Sequence, residues 1–334
     1  MRCFAGILLA AFVWSVSARA AETLIAVDVG LNDITINKVA FLIAADNGIY
    51  ERNGLKVHQF ITPEAAELAR RSGVVVPPET VRADTDRSPI VVGGASPTIY
   101  GAVHKGEIDR VVVASLEDVV QGHIIAAPGI RTLDDLRGKR LGYSLPGRAN
   151  HIGLLSFAKA MGWTPGRDII LVERASTISD ITDGRADAIL AGAVEVALAP
   201  KAGLNDVVDL EPYHLPFAGS GINVERSWLR DNRATAARFV KSAVEALALM
   251  KRDRRVFDAA VAKWLNIRDV AELDSMYAAA MDFPVKPYPS IEGIRTIMEI
   301  YDTPQMRVHS VKDFYDSSFI EELERSNYLD ALYR

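Results

Sequence analysis

The chain contains a single cysteine, Cys3, and this scarcity excludes several kinds of chemistry. Cys3 lies in a segment with the pattern of a secretory signal peptide, in which Arg2 precedes an apolar run from Phe4 to Val16 and the small-x-small motif Ala18-Arg-Ala20 follows. Cleavage after residue 20 would leave a chain with no disulfide, no thiol nucleophile and no lipidated cysteine. The segment therefore predicts export to the bacterial periplasm, with a retained membrane anchor as the alternative.

The sequence also lacks an excess of basic residues, a long apolar run and a metal-binding histidine pattern. Its 38 Lys+Arg residues are outnumbered by 43 Asp+Glu residues, which argues against nucleic acid or an anionic membrane surface as the partner. The N-terminal apolar run is shorter than the roughly 20 residues that a membrane-spanning helix needs. The six histidines show no HExxH-type spacing, so we predict neither a metal nor another cofactor.

What the sequence does contain is a recurring order of apolar strand, polar loop and helix. Residues 23–29 and 55–60 have the pattern of strands, and a helix beginning at Val39 lies between them, which predicts a parallel βαβ unit. The same order returns at 139–162 and at 188–199. Ligands of open α/β sheets collect at the carboxyl ends of the strands, so the polar loops of these units are the candidate binding segments.

The loop from Ser144 to His151 is the most informative of these segments. It joins a predicted strand at 139–143 to a helix for which Asn150 is a suitable N-cap, and a helix start offers free N–H groups to an anion or a polar ligand edge. The spacing from Gly142 to Gly147 is close to a P-loop but lacks the lysine and the Ser/Thr that follow. A surface turn that binds nothing is the other alternative.

A second strand-to-helix loop lies at 94–98, and it resembles the nucleophile elbow of hydrolases. The closing glycine of that motif is missing, so Ser96 is either a nucleophile, a hydroxyl donor to a ligand or a helix cap.

The order of these units predicts an α/β fold with two lobes, a ligand cleft between them and a helical C-terminal return. The chain would cross between lobes near 115–121 and again near 212–221. We therefore assign residues 21–116 and 217–334 to a discontinuous first lobe and residues 117–216 to the second.

Four stretches carry a resemblance to a known family. These are Ala44–Val57, Gly94–Asp109, Thr132–Gly142 and Gly184–Gly192. The chain resembles the nitrate/sulfonate/taurine-type (SsuA/TauA-like) periplasmic solute-binding proteins of ABC importers, which share the type 2 periplasmic-binding fold with the thiamine-pyrimidine synthases. Residues 63–88 depart from the family pattern because they form a longer and more proline-rich segment.

The resemblance implies a monomeric binding protein without catalytic residues. Such a protein captures a small polar or anionic organic solute (a sulfonate, carboxylate, nitrate or pyrimidine-like molecule) by hinge closure and delivers it to an ABC permease at the inner membrane. Position by position, the implied ligand contacts are Asn37, Lys38, Ser96, Thr98, Tyr143, Arg148, Asn150, Glu195, Gly221 and Asn223.

These residue types suit different parts of a ligand. Lys38 and Arg148 would neutralise an anion, and Arg148 offers a bidentate fork. Tyr143 could stack on a planar ligand. Glu195 would repel a simple anion and instead suits an amine or amidine edge. The alternative for each residue is a solvent-facing loop position or a local cap.

Two other functions fit the same lobes. One is an enzyme such as a thiamine-pyrimidine synthase or a menaquinone-pathway lyase, although the former has a cysteine-bearing pattern that residues 21–334 lack. The other is a periplasmic ligand sensor for a signalling receptor.

Overall fold

The structure is a computed structural model that describes residues 23–105 and 108–334. The predicted signal peptide at residues 1–20 lies outside the described residues. The strands are β1 Ile25–Asn32, β2 Leu55–Ile61, β3 Ile90–Gly93, β4 Arg110–Ser115, β5 His123–Ala126, β6 Arg140–Tyr143, β7 Ile170–Glu173, β8 Ala188–Ala191, β9 Asn205–Asp209 and β10 Gly221–Glu225. The helices are α1 Val39–Asp46, α2 Ile49–Arg52, α3 Pro63–Arg71, α4 Ala95–Lys105, α5 Ala149–Ala160, α6 Ile178–Thr182, α7 Ala193–Leu198, α8 Arg226–Arg252, α9 Arg254–Trp264, α10 Val270–Met281, α11 Ile291–Ile300, α12 Ser318–Arg325 and α13 Tyr328–Leu332.

The strands form two five-stranded mixed sheets. The first sheet has the order β2-β1-β3-β10-β4, in which β10 runs antiparallel to both neighbours. The second has the order β7-β6-β8-β5-β9, in which β5 is the antiparallel strand. The antiparallel strand of each sheet is the one that follows a crossing between the sheets. This arrangement confirms the predicted two-lobed α/β fold.

The first sheet packs on α1 and α8 through one continuous apolar cluster. Val27, Val29 and Leu31 alternate along β1 with polar or small residues and point into this cluster, as a strand with one face on a helix layer requires. The ring of Phe239 on α8 stacks on Tyr50 with 5.5 Å between ring centroids. Such stacking adds about 0.5–1.5 kcal/mol to the burial of the rings themselves.

A second apolar cluster joins the two lobes. It contains Ile99 of α4 and Ile294 of α11 together with Phe157 of α5, all of them fully buried. Helices α4 and α11 belong to the predicted first lobe, whereas α5 follows a strand of the second sheet. The lobe boundaries at 116/117 and 216/217 therefore stay a prediction, because this cluster spans them.

The unusual segment 63–88 covers a face of the first sheet. After α3 it forms two short 3-10 turns, at Pro78–Thr80 and Thr85–Arg87. The backbone oxygen of Thr85 lies so close to Gly30 that a Cβ built on this glycine would be 2.4 Å away. The Arg82 guanidinium holds the segment to β1 by an ion pair of 2.9 Å with Asp28. The extra length beyond α3 thus packs against β1.

One predicted helix start is wrong. Helix α5 begins at Ala149 with Arg148 as the N-cap, so Asn150 lies inside the first turn. The Asn150 side-chain oxygen instead accepts hydrogen bonds from the backbone N–H and the hydroxyl of Ser144, at 3.3 and 2.8 Å. Asn150 therefore fixes the loop that precedes the helix.

None of the helices in the described ranges combines the length and the apolar character that crossing a bilayer would require.

Candidate functional site

The two crossings between the lobes run side by side and form one surface, which we call the back wall (residues 116–120 and 215–220). The Leu116 N–H donates to Ser220 O at 2.7 Å, and at the other end the Val120 N–H donates to Leu215 O at 2.8 Å. The back wall is thus a two-stranded ribbon that connects the lobes. A ribbon of this kind is a suitable place for a hinge, because a few backbone dihedrals at its ends can absorb a lobe rotation.

Lys38 contacts the back wall directly. Its side chain is only 5% exposed, and Nζ donates to Val92 O at 2.9 Å and to the hydroxyl of Ser220 at 3.2 Å. The ammonium group therefore ties the end of β3 to the second crossing. Its neighbour Asn37 lies partly buried on the same 3-10 turn, Ile36–Lys38.

Glu117, on the first crossing, is a residue that the sequence analysis did not select. Its carboxylate accepts the Ser220 N–H at 2.6 Å and a side-chain hydrogen bond from Asn37. Burial raises the pKa of Glu117 and nearby Asp33 adds to this effect, whereas the two hydrogen bonds and the charge of Lys38 oppose it. The residue as a whole is partly buried and keeps some exposed surface.

The sequence signal for Glu117 is weak. It lies two residues beyond the carboxyl end of β4, but in a connecting segment that has no periodicity and leads into no helix. Its importance arises from Asn37 and Ser220, which are distant in sequence and meet it only in the fold.

Ser96 connects the two lobes across the cleft. Its hydroxyl is completely buried and donates to Gly147 O at 2.8 Å, so the first turn of α4 touches the loop between β6 and α5. The second predicted residue of this helix, Thr98, is partly buried. The lobes are therefore in contact in this structure, through two of the loops that the sequence selected.

The loop around Gly147 lies among aromatic side chains from three elements. A Cβ at Gly147 would lie 3.0 Å from the ring of Tyr100 on α4, and that ring is 5.1 Å from the ring of Tyr301 after α11. Tyr143 of β6 stacks on His151 of α5 at 4.4 Å. One face of Tyr143 is thus already occupied, which leaves at most the other for a planar ligand.

His151 is a second residue that the sequence analysis did not select. Burial lowers the pKa of His151, which keeps its ring neutral, and Nδ1 accepts the Gly147 N–H at 3.2 Å. Burial also raises the pKa values of Tyr143 and Tyr301 above their ordinary range, so both hydroxyls stay protonated. The aromatic group is therefore uncharged at neutral pH.

Arg148 and Glu195 are the predicted charged residues of the second lobe. Arg148 is exposed and Glu195 is partly buried. Within the described ranges neither side chain has a hydrogen-bond or ion-pair partner, so both charges are available. Glu195 lies in the first turn of α7, with Oε2 3.4 Å from the position of a Cβ at Gly192.

Gly221 and Asn223 lie within the first sheet. Gly221 is too close to β4 for a side chain, since a Cβ there would be 2.2 Å from Ala114 O. Asn223 is 2% exposed, and its Nδ2 donates to Gly93 O at 2.7 Å. These contacts give both residues a structural role, while a contact with ligand stays a prediction for them and for the other selected residues.

No group of three or more His, Cys, Asp or Glu side chains in residues 23–105 and 108–334 has the arrangement of a metal site.

Comparison with known proteins agrees with this architecture. Residues 94–253 match the family model NMT1/THI5 like, and no curated protein matches the chain. The periplasmic aliphatic sulphonate binding protein SsuA from Escherichia coli superposes with a TM-score of 0.62 at 18% identity, over 83% of this chain and 91% of SsuA. The periplasmic nitrate-binding protein NrtA from Synechocystis PCC 6803 gives 0.69 at 11% identity, over 93% of this chain and 91% of NrtA.

An enzyme has the same fold. The desulfurization enzyme DszB superposes with a TM-score of 0.60 at 14% identity, over 92% of this chain and 99% of the enzyme. Likeness at these identities establishes the fold and not the activity. The chain has the type 2 periplasmic-binding-protein fold with an NMT1/THI5-like region at 94–253, which confirms the resemblance to SsuA/TauA-like substrate-binding proteins that the sequence motifs indicate.

Proposed function

We propose that this protein is the periplasmic substrate-binding component of an ABC importer, which captures a small polar organic solute by closure of two lobes and delivers it to a membrane permease. The observation that carries the proposal is the contact between Ser96 and Gly147, because it joins polar loops of both lobes in front of a hinge-like back wall. The solved structures of sulphonate- and nitrate-binding proteins with this fold support it.

The proposal is binding without chemistry. Ser96, the residue of the possible nucleophile elbow, donates its hydroxyl to a backbone carbonyl, and a carbonyl cannot take its proton as a general base would. The available charged groups Arg148 and Glu195 suit ligand recognition. The predicted export signal supports a function in the periplasm, where an importer would collect its solute.

Native mass spectrometry of the full chain, expressed with its N-terminal segment and purified gently from periplasm, tests the proposal. We expect removal of the first 20 residues and a bound small molecule that disappears on denaturation. Recovery of the unprocessed chain in the cytosol, or conversion of the released molecule by the protein, would contradict the proposal.

A further inference from the structure

The back wall and the groups beside it have more carboxylates than cations, and this excess bears on the ligand. The inference rests on the proposed function. Glu117 and Asp118 lie on the first crossing and Asp33 lies near Glu117, whereas Lys38 is the cation that acts on Glu117. The Lys38 ammonium already donates to Val92 O and to Ser220, and it is buried beneath the cleft surface. A ligand therefore meets the carboxylates and not the ammonium group.

Glu117 can accept further hydrogen bonds. Two carboxylate oxygens offer about four acceptor positions, of which the Ser220 N–H and the Asn37 side chain use two. Because Glu117 is only partly buried, we infer that its two unused acceptor positions are open to a donor group of a ligand. A buried carboxylate of this kind is stabilised when an N–H group replaces the water that it lost.

Geometry and charge together disfavour a bare anion at this wall. A nitrate, sulfonate or carboxylate group next to Glu117 would face a like charge in a poorly solvated place, and the Lys38 side chain is only 5% exposed. An amine, an amidine or the amino edge of a pyrimidine would instead pair with the carboxylate. Any anionic part of the ligand would then lie toward Arg148 in the other lobe.

We propose that Glu117 is a specificity-determining residue that selects ligands presenting an N–H donor group, as in an amine, amidine or aminopyrimidine, over simple anions. Neutral Asn37 and the backbone of Ser220 orient the carboxylate, so that its remaining acceptor positions face the cleft. Glu117 lies on the first crossing, so the contact that recognises the ligand lies where the two lobes are joined.

Benzamidine and benzoate form a matched pair of probes, because they share one planar ring and differ in whether the end group donates N–H bonds or is an anion. We expect isothermal titration at pH 8 to show binding of benzamidine to the full chain at least tenfold tighter than binding of benzoate. Glu117→Gln, which keeps the size and one acceptor oxygen, should weaken benzamidine binding at least tenfold. The control Glu79→Gln, at an exposed glutamate on another segment, should leave it unchanged.

Three outcomes would overturn the inference: benzoate bound as tightly as benzamidine, benzamidine binding that Glu117→Gln leaves intact, or binding of neither probe. A circular-dichroism melt of each variant separates loss of the contact from loss of the fold. The proposed function fails on a different observation, namely a periplasmic protein from which native mass spectrometry releases no small molecule. A released anion without N–H groups would support the function and contradict the role of Glu117.

Discussion

Glu117 combines a charged group with a place that disfavours charge. Because burial raises its pKa, the native protein holds the proton more tightly than the unfolded chain does. The ionised group therefore lowers the free energy of unfolding as the pH rises from the ordinary glutamate pKa through the raised one. Such a loss of stability is expected if the carboxylate is kept ionised for binding a ligand.

Replacing this carboxylate by an amide should stabilise the protein in a pH-dependent way. Since an amide has no charge to desolvate, we expect Glu117→Gln to raise the free energy of unfolding at pH 8. At pH 4, where the native glutamate is protonated, the gain should vanish. Urea denaturation at the two pH values measures both effects. An equal gain at both would show that the charge of Glu117 is not the cause.

Ser96 is the residue at which contact between the lobes can be tested alone. Ser96→Ala leaves Gly147 O without this donor, and an unsatisfied buried acceptor costs about 1–3 kcal/mol. We expect a loss of stability in this range, measured by urea denaturation. Ser242→Ala is the matched control, since this buried hydroxyl donates within its own helix to Arg238 O, and should change stability by less than about 0.5 kcal/mol. Equal effects would contradict a special role for the lobe contact.

Among the elements, helix α11 is fixed to the back wall by a glycine. A Cβ at Gly293 would lie 2.1 Å from the backbone carbon of Phe217, a distance that real side chains do not show. The helix can therefore approach the second crossing this closely only with glycine at position 293. This contact makes α11 part of the hinge region, although it lies far from the crossings in sequence.

Gly293→Ala should consequently destabilise the protein by roughly 2–4 kcal/mol, because helix and crossing must separate. Gly101→Ala is the control. Gly101 also lies in a helix, α4, but has open space around it, so alanine should stabilise the protein by about 0.5–1 kcal/mol through its higher helix propensity. Thermal unfolding followed by circular dichroism compares the two. If Gly293→Ala leaves the thermal stability unchanged, α11 does not pack on the second crossing as closely as we describe.

The elements also show where sequence patterns are sufficient. Strand β2 was predicted correctly because strand alternation is a local property, whereas α1 is apolar on every side and is marked instead by the glycine stop at Gly48. The N-cap at Arg148 was not predicted, because the hydrogen bonds that Ser144 donates to Asn150 depend on the path of the loop. After α3, residues 72–88 likewise have no periodicity, and they contact Gly30 and Asp28 of another strand.

At the scale of the whole molecule, the two-lobed fold could be predicted because each crossing stands between complete βα units. The site could be predicted only in part. Loops at strand ends supplied Asn37 and Ser96, whereas Glu117 and His151 acquire their partners through tertiary contacts that no spacing records. Contact between the selected residues and a ligand therefore stays a prediction.

The central claim, that the two lobes close on a small molecule, is tested most directly by a distance between them. Lys56→Cys and Ile170→Cys place one exposed label on the edge strand of each sheet, and Cys3→Ser removes the single native thiol. Single-molecule energy transfer between the labels, with and without the molecule that the native protein releases on denaturation, is the measurement. We predict that this molecule shortens the mean distance and narrows its distribution. Identical distributions in both conditions would contradict the account.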